Sequence, residues 1–276
     1  MIPSDLIKEI ALNMRKNIIE LGYLAENNGA HFGSALSIVD IMATLYSTIL
    51  NNENNKRDFS DQHKLILSKG HGSLGLYTAL YEGKIISLKD LNSFESEDGD
   101  FPGQPVMNIL KGIEYSSGSL GHGLSYGVGL SLANKKKKRD SKIFVILGDG
   151  ECNEGTIWEA AMSAAHFKLD NLIVIIDCNK LQSDGPNEKI LHMGNMASKW
   201  ESFGWFVFDN IDGHDIDQLY ITTINSGVKE GFPTVILANT IKGKGISFME
   251  NNNEWHHNVL TEEKYKIAMG ELNAIH

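Results

Sequence analysis

The 276-residue chain is short of cysteine, of proline, and of long apolar stretches. Each shortage removes a class of protein. Two thiols, Cys152 and Cys178, cannot build the disulfide framework of a small secreted domain, and without an export signal they read as reduced. The longest apolar runs, 143–147 and 172–176, are strand-sized, against the roughly 20 residues a membrane helix needs. The opening MIPSDLIKEI mixes charges into its apolar residues, which predicts no secretory leader and a cytoplasmic chain. Basic residues are outnumbered 25 to 35, and the formal charge of −10 speaks against a nucleic-acid surface. The basic run KKKKR at 135–139 goes the other way, but its place before a strand predicts a solvated helix C-terminus.

What is present is ordinary for a globular chain: 42% apolar residues, 22% charged residues and 27 glycines. The length suits one large α/β unit. Apolar spacing predicts helices over 4–24 and 34–50, then a polar loop at 51–62, a strand at 64–68 and a turn running into a small-residue helix. The glycine-dense SSGSLGHGLSYGVGL at 116–130 would let a helix start close against a ligand. IFVILGDG, a helix over 154–167 and NLIVIIDCN form a βαβ unit, whose strands must be parallel. WFVFDNIDGHD, a helix over 219–229, PTVILANTIKGKG and a terminal helix from Thr261 continue the alternation. The expectation is a single doubly wound α/β domain over 1–276, its mostly parallel sheet flanked by helices.

Ligands of open parallel sheets bind beyond the carboxyl ends of the strands. The βαβ unit puts Asp149 and Asn179 there, so two residues far apart in sequence can converge on one point. A carboxylate, an amide oxygen and a nearby carbonyl, with Leu181 the obvious candidate, make a hard-oxygen half-shell for Mg²⁺ or Ca²⁺. Gly148 and Gly150 flank the aspartate, so backbone N–H groups and a helix start can approach an anion. The pattern predicts a metal-bridged diphosphate. The Walker sequence GxxxxGK[ST] is missing.

GDG at 148–150, EG at 154–155, WEAAMSAAHFKLDNLI and DCNKLQSDG at 177–185 resemble the thiamine diphosphate motif of transketolases. With GAHFGSALS, LSKGHG, SSGSLGHG, IDGHD, TIKGKGISFMEN and WHH, the likeness covers nearly the whole chain, and it is to the N-terminal, diphosphate-binding subunit of a split bacterial transketolase. The resemblance implies that Asp149, Asn179 and the Leu181 carbonyl hold the metal and that the Gly150 amide meets the diphosphate. It places Gly118 and Leu120 against the aminopyrimidine and thiazolium, with Ile241 as apolar cover. His31 and His71 match histidines that line the sugar channel and the cofactor. His256 matches one near the diphosphate that moves protons, with His257 as its adjacent competitor. Glu154 matches a glutamate at a subunit contact, although a carboxylate opening a helix is favourable for capping alone. His166, His192 and His214 match no chemical task, and Cys152, Trp158 and Trp200 read as packing or loop residues.

The same resemblance implies a partner. The glutamate that activates the aminopyrimidine lies in a pyrimidine-binding domain, expected here, with the C-terminal domain, on a second polypeptide in a two-plus-two assembly. The implied reaction moves a two-carbon ketol unit from a ketose to an aldehyde; substrates would be sugars. Several residues depart from the family pattern: Gln104 stands where a histidine usually meets the donor's C1 hydroxyl, Ser183 replaces an apolar residue, His122 replaces a glutamine, and WHHNVL stands for WHGKAP. These departures point toward specialised sugar chemistry. Two alternatives remain: the α-type subunit of a 2-oxo acid dehydrogenase, and a non-catalytic subunit that keeps the fold.

Overall fold

The computed structural model describes residues 4–50 and 61–275. Helices α1 (Ser4–Leu24), α2 (Phe32–Ser37) and α3 (Val39–Thr48) precede strand β1 (Lys64–Leu67), and α4 (Ser73–Glu82), α5 (Leu88–Leu91) and α6 (His122–Lys136) lead to β2 (Ile143–Gly148). Then come α7 (Gly155–His166), β3 (Leu172–Cys178), α8 (Asn187–Ile190), α9 (Met196–Ser202), β4 (Phe206–Asp212), α10 (Ile216–Ile224), β5 (Thr234–Asn239) and α11 (Glu262–Asn273). The five strands are all parallel, in the order β1-β2-β3-β5-β4.

Both faces of the sheet are buried, so its strands are continuous apolar runs and not alternating ones. In β2, Phe144 and Ile146 enter one core with α1, α3, α4, α10 and α11, while Ile143, Val145 and Leu147 enter another with α6, α7 and α9. The predicted doubly wound α/β fold is therefore present. Helix α7, between β2 and β3, lies on one face, and α10, between β4 and β5, lies on the other. The winding reverses between β3 and β5, and a switch of this kind opens a crevice beyond the strand tips. Among the described residues no helix is long and apolar enough to cross a membrane.

Three boundaries differ from the sequence reading. The helix expected over 34–50 is two helices divided at Ile38, where the Ser37 hydroxyl reaches the Asp177 carboxylate at 2.7 Å. The helix expected over 219–229 starts earlier because the Asp215 side chain caps it by accepting from the Gln218 amide, and it stops before Gly227, whose φ is 69°. Of the predicted loop at 51–62, residues 51–60 lie outside the described residues. The basic run does close α6, where Lys135 pairs with Asp170.

Candidate functional site

Parallel register sets the site. Gly148 is paired with Asp177, so Asp149 and Asn179 leave neighbouring strand tips together. Asp149 Oδ1 accepts from the Gly150 amide (2.8 Å) and Oδ2 from the Lys180 amide (2.7 Å). Asn179 Nδ2 donates to Asp177 (2.9 Å), while its Oδ1 accepts from the Leu181 amide (3.0 Å). The carboxylate of Asp177 therefore dictates which way the amide faces and leaves an oxygen on the ligand side. Asp149, Asn179, Leu181 and Ile241 line one cavity of ≈ 750 Å³ with apolar cover from Met193 and Met196.

The residues present fit a divalent ion and an anion. Burial, reinforced by the neighbouring Asp177, pushes the Asp149 carboxyl up to about 6, so its charge is costly until a cation meets it. Among the described residues the buried Asn187 Oδ1 and Gln182 Nε2 have no partner, and Asn187 lines the same cavity. The Gly150 amide, expected to meet the diphosphate, instead donates to the carboxylate of Asp149.

A second group of side chains stands apart from the crevice. The ring centres of His31 and His71 are 5.9 Å apart, those of His71 and His256 5.2 Å, and those of His31 and His256 5.5 Å. Chain pairing brings them together: Ala30 and Asn258 exchange backbone hydrogen bonds of 3.0 and 3.1 Å, which sews the loop bearing His31 to the WHH segment. His257 packs edge-on against His31 but is exposed, whereas Nδ1 of His256 accepts from Lys242 Nζ at 3.0 Å. Burial above all, aided by neighbouring cations, lowers His31 to about 4 and His256 to about 3, and takes His71 well below its ordinary value. All three rings are neutral near pH 7. Because Nδ1 of His256 accepts, its proton sits on Nε2.

Gln104 lies at the base of this group. A side chain at Gly70, the residue before His71, would collide with Gln104 Oε1 and Ser117 Oγ, both buried and without a partner among the described residues. Gly118 is exposed beside Gln104, and Leu120 is half-buried just before α6. Glu154 makes no side-chain cap on α7 and is exposed, so capping does not account for it. Ser183 and His122 are also exposed. Trp200 and Cys152 are packing residues, and the indole of Trp158 donates to the Cys152 carbonyl at 2.9 Å.

Sequence reasoning passed over three charged groups. Asp177 is fully buried and takes contacts from Lys69, Ser37, Thr240 and Asn179. Burial alone would raise it, but the Lys69 ammonium overrides that and holds it below its ordinary value. Lys242, 1% exposed, reaches the carbonyls of Leu181 (3.4 Å) and Gln182 (2.9 Å), so the carbonyl assigned to the metal already receives an ammonium. Burial and Lys69 lower Lys242 to about 8. Glu151 binds Ser68 and the amides of Gly121 (2.8 Å) and Gly148 (3.0 Å), tying the glycine-rich wall to the GDG turn. The available signal was a charged residue inside an apolar strand or a glycine-flanked loop, where burial demands a partner.

The family described as the thiamine diphosphate binding domain of transketolase matches residues 9–272. The chain belongs to the transketolase family, and it is one of its thiamine diphosphate-binding subunits. It is 41% identical over 268 residues to an apulose-4-phosphate transketolase subunit of Actinobacillus succinogenes, covering 97% of this chain and 96% of that protein. It is 37% identical over 268 residues to the 6-deoxy-6-sulfo-D-fructose transketolase subunit SqwG of a Clostridium species, covering 96% and 97% respectively. Transketolase from Campylobacter jejuni superposes with a TM-score of 0.84 at 28% identity, over 96% of this chain and 43% of that one. The chain thus spans less than half of that full-length enzyme. These likenesses do not favour a 2-oxo acid dehydrogenase subunit.

Proposed function

We propose that this chain is the diphosphate- and metal-holding subunit of a two-polypeptide transketolase that moves a two-carbon ketol unit from a ketose to an aldehyde. The observation that carries the reading is the convergence of Asp149 and Asn179 on one cavity, with the amide of Asn179 oriented by Asp177. In it Asp149, Asn179 and the Leu181 carbonyl, whose 3.4 Å contact is the longer of the two that the Lys242 ammonium makes with carbonyls, hold Mg²⁺ or Ca²⁺, Gly150 faces the diphosphate, and Ile241, Gly118 and Leu120 wall the rings. Bound thiamine diphosphate supplies the electron sink for breaking the donor's carbon–carbon bond. The chain's part is to orient that group and keep water out, and to hold neutral imidazoles at the sugar oxygens.

His31 and His71 are suited to donate to a hydroxyl or carbonyl oxygen and accept in the next step, since their ring nitrogens carry no other hydrogen bond among the described residues. The Nε2 proton of His256 is the one available for transfer, with Lys242 fixing the tautomer. Gln104 meets a donor hydroxyl as a neutral amide that does not titrate. The second polypeptide brings the pyrimidine-binding glutamate, and the exposed Glu154 belongs to the contact with it in a two-plus-two cytoplasmic assembly. Three relatives of similar length are themselves named as subunits of transketolases, which is consistent with such a partner.

The test is reconstitution. With the partner, a ketose should extend an aldehyde acceptor by two carbons, and this chain alone should be inactive. Turnover by the chain alone removes the split site; 2-oxo acid decarboxylation without ketose use removes the transketolase reading.

A further inference from the structure

His214, in the IDGHD segment, matched no chemical task, yet both of its ring nitrogens are committed. Its Nδ1–H donates to Asp40 Oδ2 at 2.7 Å, and its Nε2 accepts from the Ile241 amide at 2.9 Å. That combination requires the neutral ring with its proton on Nδ1. Asp40 is in turn gripped by both guanidinium nitrogens of Arg15, at 3.0 and 2.6 Å, and Arg15 Nε donates to the Lys244 carbonyl at 3.3 Å. Burial works against the Asp40 charge, but Arg15 and the imidazole outweigh it and hold the carboxyl below its ordinary value. The relay therefore starts in α1, passes through α3 and ends on the backbone of residues 241–244.

That backbone borders the cofactor cavity. Ile241 lines it, and the next residue, Lys242, reaches the carbonyls of Leu181 and Gln182. On the strand side the same segment is anchored by the Thr240 hydroxyl on Asp177. Gly33 supplies the opposite wall: any side chain there would press on Lys242 Cγ (2.9 Å) and the Trp255 carbonyl (3.0 Å). A loop that must present an apolar side chain and an ammonium in successive positions needs its peptide plane fixed. Backbone bonds hold the loop beyond it, with the Ile241 carbonyl accepting from the Lys244 amide (3.2 Å) and the Lys242 carbonyl from the Asn251 amide (2.8 Å), and Nε2 of His214 is the side-chain group that holds the Thr240–Ile241 peptide.

We propose that His214 is a positioning residue for thiamine diphosphate binding: held in one tautomer by Asp40, it sets the Thr240–Ile241 peptide and thereby the apolar cover that Ile241 gives one side of the cofactor cavity. The proposal rests on the reading of that cavity as the cofactor site. It differs from a plain folding role because the two nitrogens do different jobs. The Asp40 contact stabilises a buried charge, whereas the Ile241 contact shapes the site.

Two substitutions separate those jobs. In His214→Asn the amide stands where Nδ1 stood, keeping the Asp40 donor but falling short of Ile241. In His214→Gln the oxygen stands where Nε2 stood, keeping the Ile241 acceptor and losing the Asp40 donor. Calorimetry of thiamine diphosphate with Mg²⁺ on the assembled two-subunit enzyme should show binding weakened about three- to tenfold in H214N, the worth of one hydrogen bond, and nearly unchanged in H214Q. Thermal unfolding should run the opposite way, with H214Q the less stable. Amide hydrogen exchange should find Ile241 protected in H214Q and released in H214N. Equal affinities with a protected Ile241 in H214N overturn the proposal, as does an affinity loss that simply follows the loss of stability. Asp149→Ala serves as the control: if it too leaves affinity intact, the cofactor reading of the cavity fails, and the Ile241 exchange alone decides whether His214 holds the loop.

Discussion

The strand-tip crevice and the histidine wall are built on opposite principles. In the crevice nearly every polar atom is already spoken for: Asp149 takes two amides, Asn179 is fixed at both ends, and Asp177 beneath them is saturated. On the wall, among the described residues, His31 and His71 make only ring contacts, and neutrality is imposed by burial and nearby cations. A rigid diphosphate and a metal reward preformed geometry, while a sugar whose oxygens change protonation rewards open nitrogens. The two halves of the site therefore fail differently when disturbed.

The largest effect should come from the floor that supports the crevice. Lys69→Met leaves the Asp177 charge buried without its ammonium, and stripping one partner from a buried pair costs about 3–5 kcal/mol. Urea unfolding of the chain should report that loss whether or not cofactor is present. A loss below about 1 kcal/mol, the worth of a surface pair, would mean that Asp177 carries no buried charge. Asp149→Ala should do the reverse. Its carboxylate is destabilised in the fold, so the unliganded chain keeps its stability, while thiamine diphosphate affinity in Mg²⁺ drops by about 100-fold or more. Calorimetry that finds the affinity unchanged would detach Asp149 from the metal.

These residues also mark where sequence reading succeeded and where it stopped. The parallel sheet and the pairing of Asp149 with Asn179 were legible because strand–helix–strand order fixes which ends of the strands coincide. The meeting of His31, His71 and His256 was legible only through resemblance, because it depends on a bridge between residues 30 and 258 that no local pattern announces. Ile38 splits a helix that its periodicity makes continuous, since Ser37 answers to a carboxylate 140 positions away. Lys242 stood in plain view inside TIKGKG but looked like any loop lysine. Its burial is created by Gly33, by the 181–182 turn and by Asn253 and His256, contacts that periodicity does not announce. Long-range closure of this kind is the part that composition and periodicity do not encode.

Acid should find the wall before the crevice. The folded-state values of His31, His71 and His256 lie below the ordinary 6.5, so at pH below about 6.5 the unfolded chain takes up protons that the folded chain refuses. Their contribution is whole above pH 6.5 and is lost progressively toward pH 4 and below. Asp149 works the other way, because its raised value lets the folded chain bind a proton first between about 6 and 3.8. Burial also raises the carboxyls of Glu151 and Glu82, but the three rings start to lose their contribution first, at about pH 6.5, so the midpoint in urea should fall between pH 7.5 and pH 5. The fall should shrink in His31→Asn. A midpoint that rises toward pH 5 would mean that the rings are charged in the folded chain.

The smallest effect is also the most selective. Gln104 sits against Gly70 beside His71, on the wall side, and its side-chain oxygen meets none of the groups that hold Asp149 and Asn179. Gln104→His should therefore leave Mg²⁺-dependent thiamine diphosphate affinity within about twofold, well under the worth of one hydrogen bond. What should change is the ranking of ketose donors, since a ring that can gain a proton replaces an amide that cannot. Competing two ketoses for one aldehyde in the assembled enzyme reads the ratio of their kcat/KM values directly, and a shift of a few-fold is the expected scale for one altered contact. An identical ratio would place Gln104 outside the sugar channel, and a loss of cofactor affinity would mean that wall and crevice are one rigid unit after all.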